Sequence, residues 1–387
     1  NWDMSEPSRG QAPSAKSYVQ KGIVDCRLGD LFKSRRERGS QGLPLLSVTM
    51  TDGLVDREDI DRKQDTALTP EDHLLVKPGD IAYNMMRMWQ GAFGLAEKEG
   101  LVSPAYVVLA PKAKVNSKYI SFLLRSPRMQ YLLWAYSYGL TDDRLRLYFR
   151  DFARIPVRIH DWDQQAIIAS ALAVSEERIF RQRDMLDNTI RLRAGTLNKM
   201  LRPTSKLDRA SWHEFEFGDL ANRIRSAFTP SKEPTQSLCI ELENIEPAIG
   251  QLVGQSITTP ESSAKLRFKS GDVLFGKLRP YLQKYWVADR DGVCSSEFWV
   301  LRPSLSVCTP EFLACLLQSE TFMRAVNASA GSKMPRAEWD YVSTTTLEVP
   351  PATRQAEICS VVRLIDHQIG KQREYIATLE LEHRALL

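Results

Sequence analysis

Two stretches of the chain set amide, guanidinium and ammonium donors among aromatic rings beside a glycine. In the first, Tyr83-Asn84-Met85-Met86-Arg87-Met88-Trp89-Gln90-Gly91, the candidate contacts are Asn84, Arg87, Trp89 and Gln90. In the second, Phe275-Gly276-Lys277-Leu278-Arg279-Pro280-Tyr281-Leu282-Gln283-Lys284-Tyr285, they are Lys277, Arg279, Tyr281 and Lys284, with Arg267 close in sequence. Such donors match the geometry of phosphate oxygens and base edges, and aromatic rings pack against sugars or thymine methyls. The same residues would also suit a strand and turn with snorkelling basic ends, and that alternative stays open. A second pair of stretches consists of Gly-started basic loops: Tyr138-Gly139-Leu140-Thr141-Asp142-Asp143-Arg144-Leu145-Arg146, and Ala330-Gly331-Ser332-Lys333-Met334-Pro335-Arg336. Arg144, Arg146, Lys333 and Arg336 are their candidate groove and phosphate contacts, because glycine lets backbone approach a ligand closely. A plain connection to the following helix is the alternative.

Catalytic signatures are missing around these donors. There is no Gly-x-x-x-x-Gly-Lys-Ser/Thr phosphate loop, Gly-x-Gly-x-x-Gly fingerprint or Gly-x-Ser-x-Gly elbow, and Gly331-Ser332-Lys333 shares only residue types with the first. Nor is there an Asp/Asn-Pro-Pro-Phe/Tyr tetrapeptide, which holds an extruded base in amino-methyltransferases. Asp61-Arg62-Lys63 has the acid-x-Lys form of many metal-dependent nucleases, but it sits in a charged run and is not repeated. The six cysteines and five histidines are scattered without zinc-knuckle spacing, so no metal site and no disulfide framework is expected. The sequence therefore predicts a chain that binds without catalysing.

The elements that must position these donors occur twice. Leu28-Gly29-Asp30-Leu31 is answered by Phe217-Gly218-Asp219-Leu220, 189 residues later (218 − 29). Lys77-Pro78-Gly79-Asp80-Ile81 is echoed by Lys269-Ser270-Gly271-Asp272-Val273, and Gly100-Leu101-Val102-Ser103 by Gly292-Val293-Cys294-Ser295, both 192 residues on (272 − 80). Arg144 and Arg336 share that offset, and Gln165-Ala166-Ile167-Ile168 returns as Gln355-Ala356-Glu357-Ile358 after 190 (355 − 165). A near-constant offset over half the chain means duplicated domains, not a short-period solenoid. Within each copy, strand-like runs (43–48, 80–83 and 105–109; then 238–240, 272–275 and 298–301) precede a helical stretch (116–138; about 309–326). In the first helical stretch Ile120, Leu123, Leu124, Tyr131 and Leu132 would share a face.

Each copy then ends on a long charged helix with an apolar seam. Ile168, Leu172, Ile179 and Leu186 form the first seam, with a stutter at Ile190 and Leu197; Ile358, Val362, Ile365, Ile369 and Ile376 form the second. Burial against the neighbouring domain is one reading of each seam, and antiparallel pairing of the two helices as a rigid spacer is the other. The expected fold class is α+β: two pseudo-repeated domains, each followed by a long helix, with the helices paired as an antiparallel coiled coil. The expected boundaries are a poorly ordered lead-in (1–24), domain one (25–160), a central helix (161–204), domain two (205–352) and a terminal helix (353–387). The lead-in is Ser-, Pro- and Gln-rich without an apolar core, so it does not read as a secretion signal.

At 387 residues the chain has room for two ordinary domains, and 43% hydrophobic with 26% charged residues matches globular averages. No apolar run approaches the roughly 20 residues of a membrane span, so a cytoplasmic protein with reduced thiols and no membrane partner is expected. A net charge of +4 permits nucleic-acid binding without demanding it.

Taken in this order, the duplicated openings, the Lys-x-Gly-Asp turns, Ser295-Ser296-Glu297-Phe298, the Gly331-Ser332-Lys333 loop and Val349-Pro350-Pro351 before Gln355 make the chain resemble the specificity subunit of type I restriction-modification enzymes over nearly its full length. The resemblance implies two target-recognition domains, each reading half of a split sequence in double-stranded DNA, and helices that serve as spacer and as docking surface for methyltransferase (M) and restriction (R) subunits. It implies no cofactor on this chain, with S-adenosylmethionine, ATP and Mg on the partner subunits. Ile155-Pro156-Val157-Arg158-Ile159-His160-Asp161 stands where the family usually has a Pro-Pro turn, and Arg354-Gln355 lacks the usual acidic residue before Gln. A divergent nuclease or methyltransferase, and a coiled-coil assembly scaffold, are the competing readings.

Overall fold

The computed structural model describes residues 22–60, 68–141, 144–232, 238–259, 261–331 and 334–387. The lead-in up to residue 21, Asp61-Arg62-Lys63, Asp142, Asp143, Ser332 and the candidate Lys333 lie outside the described residues. The chain divides into two compact units, one made of Asn1–Arg181 with Ala377–Leu387 and the other of Gln182–Ile376. Both long helices thus contribute one part to each unit.

Each unit is organised around a four-stranded antiparallel sheet with the same strand order. In the first the order is Phe32–Arg35, Tyr106–Pro111, Ile81–Asn84, Phe93–Leu95; in the second it is Ala221–Ile224, Phe298–Pro303, Val273–Gly276, Tyr285–Val287. The register repeats too, with Ile81 opposite Leu109 and Val273 opposite Leu301. Both central strands, Ile-Ala-Tyr-Asn and Val-Leu-Phe-Gly, are buried along almost their whole length, as near-continuous apolar runs require. The side sheets differ: the second unit has five strands, including a parallel pair between Leu238–Ile240 and Gly292–Ser295, whereas the first has two separate two-stranded pairs.

The predicted helical stretch of the first unit is two helices, Ser117–Leu124 and Pro127–Ala135, because the Ser126 side chain caps the second and Pro127 occupies its first turn. A serine in extended conformation followed by a proline cannot continue a helix. The break corrects the expected apolar face: Ile120 and Leu124 are buried, Leu123 and Leu132 half-buried, and Tyr131 is 64% exposed. The second unit repeats the break as Pro310–Leu316 and Glu320–Ser329, capped by Thr309 and Ser319.

A two-stranded ribbon closes each domain before its long helix, Ile23–Arg27 with Pro156–His160 and His213–Glu216 with Thr346–Val349. The helices run Trp162–Met200 and Ala352–Leu386; the first stops short of Pro203, which has no N–H to offer. The repeated glutamines fasten them. Gln165 donates to the His160 carbonyl and accepts from the Asn116 N–H, and Gln355 donates to the carbonyls of Val307 and Pro350.

Along the seams Leu172, Ile179, Ile358, Val362, Ile369 and Ile376 are buried, and Ile168, Leu186 and Ile365 are half-buried. In the second unit Leu197 shares a core with Ile358 and Val362, while one turn earlier Arg193 pairs with Asp366. Partners that step backwards as the first helix steps forwards define antiparallel packing. In the first unit Ser175 Oγ lies 3.1 Å from His383 Nδ1.

The Arg193 guanidinium, 3% exposed, donates to Asp366, to Gln318 Oε1 at 2.6 Å and to the Tyr285 hydroxyl at 3.1 Å. Burial pushes the Tyr285 hydroxyl above its ordinary range, so it stays a neutral acceptor. Arg193→Ala leaves the Asp366 carboxylate without its cation and is expected to lower stability by about 3 kcal/mol. The urea midpoint of the full chain measures this, and a loss below about 1 kcal/mol would contradict it.

Candidate nucleic-acid interface

The candidate loops leave the central strands, so the turn that aims each strand matters first. In the first unit the Asp80 carboxylate accepts the Lys77 N–H at 2.9 Å; in the second Asp272 accepts the Lys269 N–H at 2.8 Å. The intervening glycines have φ of +89° at Gly79 and +87° at Gly271, in the left-handed region where a side chain would be strained. Gly79 then donates to the Ala96 carbonyl, and Ala96 to that of Asp80; Gly271, Ala288 and Asp272 repeat the exchange.

Both aspartates are 1% exposed, and each receives two guanidinium hydrogen bonds. The cation comes from different strands: Arg35 on the edge strand in the first unit, Arg302 on the neighbouring strand in the second. A buried carboxylate needs a paired cation, whichever strand provides it. The Arg35 side chain is 15% exposed and Arg302 44%, so Arg35→Ala strands its carboxylate in a drier setting. Urea midpoints should show Arg35→Ala costing more than Arg302→Ala, with Asp80→Ala and Asp272→Ala each near 3 kcal/mol; the reverse order for the arginines would contradict the argument.

Beyond the strands, backbone hydrogen bonds tie the two candidate stretches of each unit together. In the first, Leu147 donates to the Met85 carbonyl, while Tyr138 and Arg146 exchange both backbone bonds and close the second stretch on itself. In the second, Ala337 donates to the Lys277 carbonyl, and Arg279 to that of Pro335. The structure corrects the sequence alignment here: Leu147 matches Ala337, so Arg336 corresponds to Arg146 at an offset of 190 (336 − 146) and not to Arg144. Gly139 is required in the first loop, because a Cβ there would lie 2.6 Å from the Arg144 carbonyl oxygen.

The candidate side chains fall into two groups. Arg87, Gln90, Arg144, Arg146, Arg279 and Tyr281 are exposed, and Lys277 is half-buried. Arg279 is held at φ +51°, with Pro280 and Tyr281 following in a single 3-10 turn. The others are engaged within the fold. Asn84 Oδ1 accepts the Met86 N–H at 3.0 Å, Lys284 donates to the Leu242 carbonyl at 2.6 Å, and Arg267 lies over the Phe228 ring at 4.8 Å. Trp89 packs against the core of the first unit, its indole N–H buried without a hydrogen-bond partner among the described residues. Arg336 makes two 3.0 Å bonds to Glu297. Residue type gives the donors but not what occupies them, which is why the sequence placed all of these in one class.

Several exposed side chains beside the loops were missed. Tyr131 and Trp134 have ring centroids 5.9 Å apart, Leu140 is 93% exposed, and Tyr138 and Met334 are also outward. Exposed aromatic residues on a helix give no signal in a pattern that assigns aromatics to the core. Glu297 was visible only as part of Ser295-Ser296-Glu297-Phe298. The six cysteines are free, and among the described residues no three His, Cys, Asp or Glu side chains form a metal-binding group.

No protein-family model matches the chain. It is 26% identical over 195 residues to the HindI type I restriction enzyme specificity subunit of Haemophilus influenzae, covering 46% of this chain and 40% of the relative. It is 28% identical over 152 residues to the EcoDI specificity subunit of Escherichia coli, covering 38% and 33%. The aligned regions thus span less than half the length of these relatives. Over 96% of its length the chain superposes on a chain solved in work on complex assembly and conformational transition of the type I R-M system, with a TM-score of 0.63, 15% identity and 97% of that chain covered. The S subunit of a type I system from M. genitalium superposes with a TM-score of 0.52, 13% identity and 96% of each chain covered. These likenesses show a mixed α/β fold shared with S subunits. The chain is thus similar to type I specificity subunits in sequence over part of its length and in fold over nearly all of it.

Proposed function

We propose that this chain is the DNA sequence-specificity subunit of a type I restriction-modification complex, reading a bipartite, asymmetric target in double-stranded DNA and docking methyltransferase and restriction subunits. The observation that carries the proposal is the repeated lacing of two basic loops beside a central strand, Met85 to Leu147 in one unit and Lys277 to Ala337 in the other. A duplicated frame presenting unlike side chains suits two unlike half-sites. Arg87, Gln90, Arg144 and Arg146 would serve one half-site, and Lys277, Arg279 and Tyr281 the other, through base edges and phosphates. The chain itself would make and break no bond; S-adenosylmethionine, ATP and Mg would act on the partner subunits. The sequence relatives support this reading because both are named as specificity subunits.

Random-sequence duplex DNA incubated with the full chain and its methyltransferase partner, followed by sequencing of the bound fraction, tests the proposal. Two unlike short motifs at a constant gap are expected. Arg279→Ala should cost about 1–3 kcal/mol on the selected duplex and relax one motif only. Absence of any enriched motif with the partner present would remove the DNA-reading role and favour an assembly scaffold, and product formed by the chain alone would favour an enzyme.

A further inference from the structure

Arg336 and its repeat counterpart Arg146 each precede the residue that laces the loop to the central strand, yet among the described residues only Arg336 pairs with an acid. Glu297 lies at the start of the strand Phe298–Pro303, as Ala105 lies before Tyr106–Pro111. The turn before each strand is the same: the Glu297 N–H donates to Ser295 Oγ at 3.3 Å and the Ala105 N–H to Ser103 Oγ at 3.2 Å. In the second unit the Glu297 carboxylate takes Nε and Nη2 of Arg336, both at 3.0 Å, with the two side chains 25% and 44% exposed. The Glu297 carbonyl also receives the Lys277 N–H at 2.9 Å, which ties the acid to the other candidate loop. In the first unit the residue at the place of Glu297 is Ala105, whose methyl group can accept no hydrogen bond.

We infer that Glu297 is a positioning residue for sequence readout in the second unit: it fixes Arg336 for a base edge and restrains it from binding phosphates indiscriminately. This rests on the DNA-reading proposal above. A guanidinium carries five N–H donors, and a side-on carboxylate fork uses two of them. The donors left on Nη1 and Nη2 form the end-on pair that suits guanine O6 and N7. An arginine already held by a carboxylate loses less side-chain freedom on docking, and its charge is partly neutralised toward passing phosphates. Consistent with a working ion pair, the Arg336 guanidinium holds the Glu297 carboxyl below the usual carboxylate range, and Lys277 adds to the lowering. The first unit, with Ala105 in the place of Glu297, has no carboxylate at this position and would depend more on phosphate contacts.

The test is a mutant cycle on the full chain with its methyltransferase partner, using Glu297→Ala, Arg336→Ala and the double variant. Each is titrated against a random-sequence duplex at several salt concentrations, and against the duplex selected by the wild type. Glu297→Ala is expected to bind random duplex several-fold tighter at low salt, with a log–log salt slope steeper by about 0.9, the increment for one more phosphate contact. Its preference for the selected duplex should fall about tenfold, as expected for a lost base-reading pair. In the Arg336→Ala background the Glu297→Ala effect on the slope should vanish. Persistence of that effect without Arg336 would show that Glu297 acts only as a general negative charge, and would overturn the inference. A purely structural role would weaken binding to both duplexes alike, which also overturns it; should Glu297→Ala fail to fold, Glu297→Gln is read in its place against the same slope. Failure of the wild type to bind any duplex would instead overturn the DNA-reading proposal itself.

Discussion

The structure depends on a buried carboxylate that closes the turn ahead of each central strand. Asp80 and Asp272 each accept a backbone N–H three residues earlier and two guanidinium bonds from across the sheet. With the carboxylate satisfied, the turn fixes where the strand starts, hence where it ends and where the loop after it emerges. That the cation comes from Arg35 in one unit and Arg302 in the other shows what the turn requires: a paired charge in a dry place, not a residue at a given position. A turn fixed in this way can be copied while the loop it aims is left free to change.

The loops are treated differently from the frame. Their backbones are tied, by Leu147 to Met85 and by Ala337 to Lys277, so their ends are placed whatever side chains they carry. The side chains then differ in kind. The first unit presents Tyr131, Trp134, Tyr138 and Leu140 around its arginines, whereas the second presents Lys277, Arg279 and Tyr281 beside the Glu297–Arg336 pair. Prearranged backbone with variable chemistry is what a binding surface needs if two related domains are to recognise different partners.

Much of this was legible in the sequence, and what was not has a common cause. The repeat, the two central strands and the long helices are written in apolar periodicity and in glycine and aspartate positions, which depend on local backbone geometry. The helix break at Ser126-Pro127 was also written there, yet the apolar positions around it were read as one face, which placed Tyr131 inward when it faces out. Side-chain partners across the fold were not legible. Lys284 looks like a contact residue by type, and only the approach of the Leu242 carbonyl shows it engaged; the Glu297 carboxylate that holds Arg336 was equally hidden from local pattern. The shift from Arg144 to Arg146 as the counterpart of Arg336 arises because the offset of 190, seen in sequence only at Gln165 and Gln355, is already in force at Leu147 and Ala337, which the hydrogen bonds reveal. Arg193 gave no periodic signal at all, since a buried arginine on a heptad-like helix reads as a surface charge.

The central claim is that each unit carries its own DNA-reading loops on a common frame. Hydroxyl-radical footprinting of the full chain with its methyltransferase partner on a selected duplex tests this most directly. Two protected patches with an unprotected gap are predicted, with Arg279→Ala fading one patch and Arg87→Ala the other. A single continuous patch, or both patches fading together with either substitution, would contradict it.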